Sequence, residues 1–281
     1  MKLIIESGAT KSDWRVVSDE GQEMARYAAS GTNVSTMSMM AVETIIGQVC
    51  KQIAEQGIAI ESVYMYTAGV VTESVQRALT QAFRTVFAKA EVAVMDDLTA
   101  AARAACGHSA GIVAILGTGS NSCQYDGEKI VKRVYSGGFI LGDEGSAATL
   151  GKLFIADWLK GLVPKQVADD FTARYGYDYA SIVENVYHST GSPSAFLGGL
   201  APFILEHYNN SYIQALVDDN LRAFIRRSLK QYDVDRYTVG VVGGFGNALK
   251  DVFSRIAEQE GIMLSRFISS PIEELIKYHT V

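Results

Sequence analysis

The sequence predicts an α/β protein made of two related halves, and three observations carry that expectation. An apolar strand runs into a small-residue turn and out into a second strand at LIIESGATKSDWRVV, residues 3–17. The same plan recurs at GIVAILGTGSNSCQY, residues 111–125. After each turn the chain continues into further strands and helices, the pattern of a mixed sheet with covered faces. Each turn gathers backbone N–H groups, hydroxyls and little side-chain bulk at a strand end, which suits a phosphate group. Two such turns suggest two half-molecules facing one nucleotide.

In the first half, strands are predicted at 2–6, 13–17, 63–66 and 92–95, with a further one near 23–28. Helices are predicted at 38–56, 73–87 and 98–105; the first carries Met40, Ile45, Val49 and Ile53 at helical spacing. The second half restarts at Gly111 with strands 112–116, 121–125 and 128–134, and Asp126–Gly127 is a turn signal between the last two. The Gly-rich loop SGGFILGDEGS then leads into helix 146–160, and 164–232 reads as mostly helical. Strand 238–242, the loop GGFG, helix 247–260, strand 263–267 and a short helix after Pro271 close the chain. Topology places the boundary near 106–110. This gives an N-terminal domain of 1–106 and a C-terminal domain of 107–281 with a helical insertion, the last helix being free to pack back on the N-terminal domain.

Of the 281 residues, 48% are apolar and 20% charged, enough to bury a full core. A net charge of −6 and a pI near 5.3, with no basic run, argue against a nucleic-acid surface. Cys50, Cys106 and Cys123 form no CxxC pair, which fits reduced thiols in a cytoplasmic protein. The apolar run before Glu6 is shorter than a signal peptide needs, and no stretch approaches the roughly 18 apolar residues of a membrane span. His108, His188, His207 and His279 are dispersed, without HxH or HExxH spacing, so zinc is not expected. Tyr175, Tyr177, Tyr179 and Tyr187 read as packing residues.

Five segments bear chemistry. In Glu6-Ser7-Gly8-Ala9-Thr10-Lys11, the acidic residue at a strand end can hold Mg²⁺ through water, and Thr10 and Lys11 can address phosphate oxygens; an ordinary polar hairpin reads the same way. Gly117-Thr118-Gly119-Ser120-Asn121-Ser122 has neither P-loop nor GxGxxG spacing, but its glycines, hydroxyls and amide suit an anion or a sugar, if it is more than a hairpin. Asp96-Asp97 follows the strand VAVM. Neighbours on a strand point to opposite faces, so only one can address a given cleft, and Asp97 also stands where a cap for helix 98–105 would. Gly142-Asp143-Glu144-Gly145-Ser146 is an acidic pair between glycines, behind apolar Phe139-Ile140-Leu141, and reads as a packed site loop or a helix cap. Gly243-Gly244-Phe245-Gly246-Asn247 joins a buried strand to a helix, either as a tight connection or as backbone that a ligand approaches.

In this order the segments resemble the actin-like, hexokinase-like sugar kinases. The likeness is strongest to the N-acetylglucosamine kinases grouped with the BadF/BadG/BcrA/BcrD ATPases, through LGTGSNS, LGDEGSA, ESGATKS and VVGGFGNAL. The resemblance implies two ribonuclease-H-like domains with a nucleotide cleft between them. It also implies transfer of ATP's γ-phosphoryl to an amino sugar, most directly the 6-hydroxyl of N-acetylglucosamine. Asp97 would be the general base and Glu6 would serve Mg²⁺. Thr10, Lys11, Gly117 and Thr118 would meet the ATP phosphates, and Gly243 and Gly244 the adenosine. Asn33, in the loop SGTNVS, would bind the sugar with Ser120, Asn121 and Asp143, while Gly137 and Gly138 would line its pocket. Family members carry a tryptophan in the SGGF segment where this chain has none, which leaves the exact sugar open. Such an enzyme is expected to be a cytoplasmic protein, monomer or homodimer, without nucleic-acid or membrane partners, that closes about a hinge on its ligands. Two other readings stay open: an ATPase that activates a partner enzyme, against which three scattered cysteines argue, and a non-catalytic nucleotide sensor.

Overall fold

The structure, a computed structural model, describes residues 1–8, 11–34, 37–70, 72–188 and 191–280. The chain forms two compact units: Met1–Ser109 with Gly127–Ile130 and Ser270–Val281, and Ala110–Asp126 with Val131–Ser269.

The first unit is built on β1 (Lys2–Ser7), β2 (Lys11–Val17), β3 (Glu23–Ser30), β4 (Ser62–Thr67) and β5 (Glu91–Asp96) in the order β3-β2-β1-β4-β5. β1, β2 and β3 run antiparallel, and β1, β4 and β5 run parallel. Register puts Ser7, Thr67 and Asp96 in one row and Glu6, Tyr66 and Met95 in the row before it. Strand alternation sends these rows to opposite faces. Leu3, Ile5, Val63, Met65 and Val94 share the first face and pack on Val42, Ile46, Leu79 and Phe83 of helices Met39–Glu55 and Glu73–Arg84. Ile4 and Tyr66 share the second and pack on Ala100 of helix Asp97–Cys106 and on Ile272, Leu275 and Ile276 of the C-terminal helix, Ile272–Thr280.

That C-terminal helix is fastened by a half-buried histidine. His279 stacks on Tyr64 at 3.7 Å between ring centroids. Its Nε2 lies 2.8 Å from the Tyr66 hydroxyl, which also accepts from Arg103 at 2.8 Å, and Lys2 Nζ donates to its carbonyl at 2.7 Å. Burial, and then the charges of Arg103, Lys2 and His108, push its pKa down to about 3. A folded pKa below the usual value of 6.5 means the unfolded chain binds the proton first. The stabilisation is therefore whole above pH 6.5 and fades as pH falls toward 3. At about 1.36 kcal/mol per unit the loss is bounded by roughly 5 kcal/mol. His279→Gln, which still offers Tyr66 an acceptor, is expected to flatten the fall in melting temperature between pH 6.5 and 4. An equally steep fall in wild type and variant would assign the acid sensitivity to other groups.

The second unit repeats the plan: β6 (Gly111–Leu116), β7 (Ser120–Tyr125), β8 (Ile130–Val134), β9 (Val239–Val242) and β10 (Leu264–Ile268) lie in the order β10-β9-β6-β7-β8. Read from the other edge, this is the strand order of the first unit. β6 is antiparallel to β7 and parallel to β9, and β9 is parallel to β10. The helices of this unit pack aromatic side chains into one core with the sheet, with Phe154, Phe171, Phe203, Phe224 and Phe253 fully or almost fully buried. Tyr175 and Tyr177 join that cluster, whereas Tyr179 and Tyr187 are exposed. Two stretches differ in kind from the sequence reading. The predicted helix 247–260 is a pair, Gly244–Ala248 and Lys250–Gln259, so Gly244 belongs to a helix rather than a loop. Within the Gly-rich loop, Gly138–Leu141 forms one short helical turn. No helix among the described residues is long and apolar enough to cross a membrane.

Candidate active site

In the first unit the site residues gather at the carboxyl ends of the parallel strands. Glu6 is the penultimate residue of β1 and Lys11 opens β2; Thr10 lies outside the described residues. Burial pushes the Glu6 carboxyl up to about 7; Asp13 and Asp97 add to the rise and Lys11 opposes it. Glu6 and Asp97, far apart in sequence, thus feel each other's charge. Among the described residues no three carboxylates, histidines or cysteines have metal-holding geometry. A Mg²⁺ ion that keeps several waters and uses one or two carboxylates plus nucleotide phosphates fits this donor set; an all-protein cage does not.

The Asp96–Asp97 pair divides its work differently from the strand argument. Asp96 ends β5 and caps helix Asp97–Cys106, its Oδ1 accepting from the Thr99 amide at 2.8 Å. Asp97 is the first helical residue, so it is not the cap, and strand alternation does not govern where it points. The helix start leaves Asp97 half-buried beside the helix N-terminus, where partial positive charge favours a carboxylate.

Asn33 is held by a device that sequence reading missed. The Thr32 amide and hydroxyl both donate to Ser7 Oγ at 2.8 Å, and the Thr67 hydroxyl donates to the Thr32 carbonyl at 2.9 Å. All three side chains are buried.

In the second unit Gly117, Thr118 and Gly119 turn β6 into β7, with the Gly117 amide donating to the Gly119 carbonyl at 3.0 Å. The Gly117 and Thr118 carbonyls accept from Ala147 and Ala148 at 3.0 Å, fixing the turn on the first residues of helix Ala147–Trp158. Thr118 is exposed, Ser120 buried and Asn121 half-buried. Asp143 takes a left-handed backbone (φ 57°), uncommon outside glycine. Its amide donates to the Ser136 carbonyl at 3.0 Å and its carbonyl accepts from the Thr149 hydroxyl at 2.8 Å. Burial pushes its carboxyl up, and hydrogen bonds from the Ser120 amide and the Ser136 side chain oppose the rise. A Cβ on Gly119 would stand 3.0 Å from that carboxylate, so the glycine lets the turn and Asp143 meet. Asn220, buried in helix Ser211–Arg227, accepts from the Gly145 amide at 2.8 Å and donates to the Ser146 carbonyl at 3.1 Å. It was absent from the sequence reading, although an Asn beside Val217, Leu221 and Phe224 on an apolar helix face is a readable signal.

Gly137 and Gly138 both have positive φ and are exposed. Gly243 and Gly244 follow β9; Gly243 lies against the Leu116 carbonyl, so the two glycines adjoin the Gly117 turn. In the second unit the Gly117–Gly119 turn, Asp143 and Gly243 thus meet around the carboxyl end of β6.

Two α/β units of one strand order give the chain an actin-like α/β fold. The family description "BadF/BadG/BcrA/BcrD ATPase family" matches residues 5–156, and the chain belongs to that family. A Porphyromonas gingivalis protein named "Putative N-acetylglucosamine Kinase" is 36% identical, with 100% of this chain and 99% of that one covered at a TM-score of 0.94. A protein of the same name from Chromobacterium violaceum shares the fold at 18% identity, with 99% and 98% covered and a TM-score of 0.77. A ROK family glucokinase from Streptomyces griseus, in complex with glucose and AMPPNP, does so at 16% identity, with 99% and 98% covered and a TM-score of 0.54. No curated protein matches the chain.

Proposed function

We propose that the protein is an ATP-dependent sugar kinase acting on an amino sugar, most directly on the 6-hydroxyl of N-acetylglucosamine. The full-length similarity to the Porphyromonas gingivalis protein is the observation that carries this reading. The site chemistry agrees with it. Phosphoryl transfer needs positioning and charge stabilisation more than covalent help. Asp97 takes the proton as the sugar oxygen bonds to the γ-phosphorus and the bond to the β–γ bridging oxygen breaks, releasing ADP. Lys11, Thr10 and the Gly117–Thr118 turn meet the phosphates, and Gly243 and Gly244 the adenosine. Asn33, Ser120, Asn121 and Asp143 hold the sugar's polar groups, with Gly137 and Gly138 beside it. Mg²⁺, held through Glu6 and water, would neutralise phosphate charge. The iron–sulfur activator reading gains nothing from the cysteines, since Cys50 and Cys123 are buried.

N-acetylglucosamine with Mg²⁺ and ATP is expected to raise ADP release well above the sugar-free rate, and mass spectrometry to show a sugar monophosphate. A panel of amino sugars and hexoses that all leave ADP release at the sugar-free rate would sink the kinase reading.

A further inference from the structure

We propose that Ser7, Thr32 and Thr67 form a positioning latch that ties the Asn33 loop to the strand ends of the first unit and so sets affinity for the sugar. The inference rests on the kinase reading, in which Asn33 contacts the sugar.

Ser7 ends β1 and Thr67 ends β4, one opposite the other in the parallel register. Both are buried, and so is Thr32, which reaches across them from the loop after β3. Its amide and its hydroxyl converge on the single Ser7 Oγ, both at 2.8 Å. The Thr67 hydroxyl lies 2.9 Å from the Thr32 carbonyl and 3.1 Å from its hydroxyl. The next residues are tied to the same strand ends: the Val34 amide donates to the Ala68 carbonyl at 3.2 Å, and the Ala68 amide to the Ser7 carbonyl at 3.4 Å. The loop backbone on either side of Asn33 is thus fixed to β1 and β4.

A buried row of hydroxyls at this place is not what stability alone selects. Apolar residues fill the same sheet face two positions earlier, at Ile5 and Met65. Buried hydroxyls need partners and gain little net stability from them. Their geometry does fix one loop conformation, which serves a group that must be held within a fraction of an ångström. Ser7 also leads directly into the phosphate turn at Gly8. One oxygen therefore joins the sugar loop to the start of the nucleotide loop.

Thr32→Val keeps the shape and the amide bond to Ser7 but removes the hydroxyl. Leaving buried partners unmatched corresponds to a factor of about 10–100. The sugar KM is expected to rise by about that factor, with kcat and the ATP KM within about threefold of wild type. Thr32→Ser restores the hydroxyl and is expected to recover most of the sugar affinity. Circular dichroism at the assay temperature shows whether each variant is folded; if Thr32→Val is not, Thr67→Val, which leaves the Thr32–Ser7 bonds in place, carries the same comparison. A sugar KM unmoved in a folded Val variant overturns the latch, as does impairment of Thr32→Ser equal to that of Thr32→Val. A rise in the sugar KM matched by a rise in the ATP KM also overturns it, because general loosening would move both. Failure of the kinase reading looks different: wild type itself would then show no sugar-dependent ADP.

Discussion

Asp97→Asn is expected to lower sugar-dependent turnover by about 10²–10⁴-fold, the usual contribution of a general base. At 1.36 kcal/mol per decade this is about 3–5 kcal/mol of barrier. The ATP KM should hold, because in the proposed reading the carboxylate addresses the sugar hydroxyl rather than the nucleotide. The melting temperature should hold as well, since the helix is capped by Asp96, whose Oδ1 accepts from the Thr99 amide, and Asp97 lies one residue inside it. Asp96→Ala gives the opposite pattern. Loss of the cap costs about 1 kcal/mol, or about 2–4 °C in a chain of this size, and turnover at a temperature where the variant stays folded falls far less than in Asp97→Asn. If Asp96→Ala abolishes turnover while Asp97→Asn leaves it intact, the base has been assigned to the wrong carboxylate.

That pair also marks where sequence reading stops. The strand VAVM and the helix after it are legible from periodicity, and either aspartate suits a cap. Which one takes the role depends on where the chain leaves extended geometry, and Asp96, with ψ 163°, is the last extended residue before the helix. The two sheets were legible because each half carries its own apolar strands and turn residues. The helix beginning at Gly244 was not, because a glycine there reads as loop in any propensity argument. Ser7, Thr32 and Thr67 are ordinary polar residues from three separate segments, and only the parallel register of β1 and β4 makes them neighbours. Asp143 stood out by its glycine flanks, but its left-handed backbone and its contact with Ser120 arise from tertiary packing.

Gly243 and Gly244 are adjacent and should respond to substitution in opposite ways. Gly243 has φ 121°, and a Cβ there would stand 2.4 Å from the Leu116 carbonyl oxygen. Neither atom is free to move, because the Gly243 amide donates to the Ile268 carbonyl at 2.8 Å and Leu116 belongs to the central strand β6. Backbone strain and overpacking together put the cost of Gly243→Ala at about 3–5 kcal/mol. Its melting temperature should fall by about 10 °C at 2–4 °C per kcal/mol. Gly244 is exposed, and a Cβ there would meet nothing within 4 Å. The protein's own packing therefore does not require that glycine. If adenosine lies against this backbone, Gly244→Val should keep the wild-type melting temperature in the absence of ligand. It should lose nucleotide affinity tenfold or more, about 1.4 kcal/mol, because the new side chain occupies the space that the ligand needs. Calorimetric titration with an ATP analogue beside thermal melts separates the two. A Gly244→Val variant that binds nucleotide as wild type does would remove Gly244 from the adenosine site, while a stable Gly243→Ala would mean that the Leu116 carbonyl can yield.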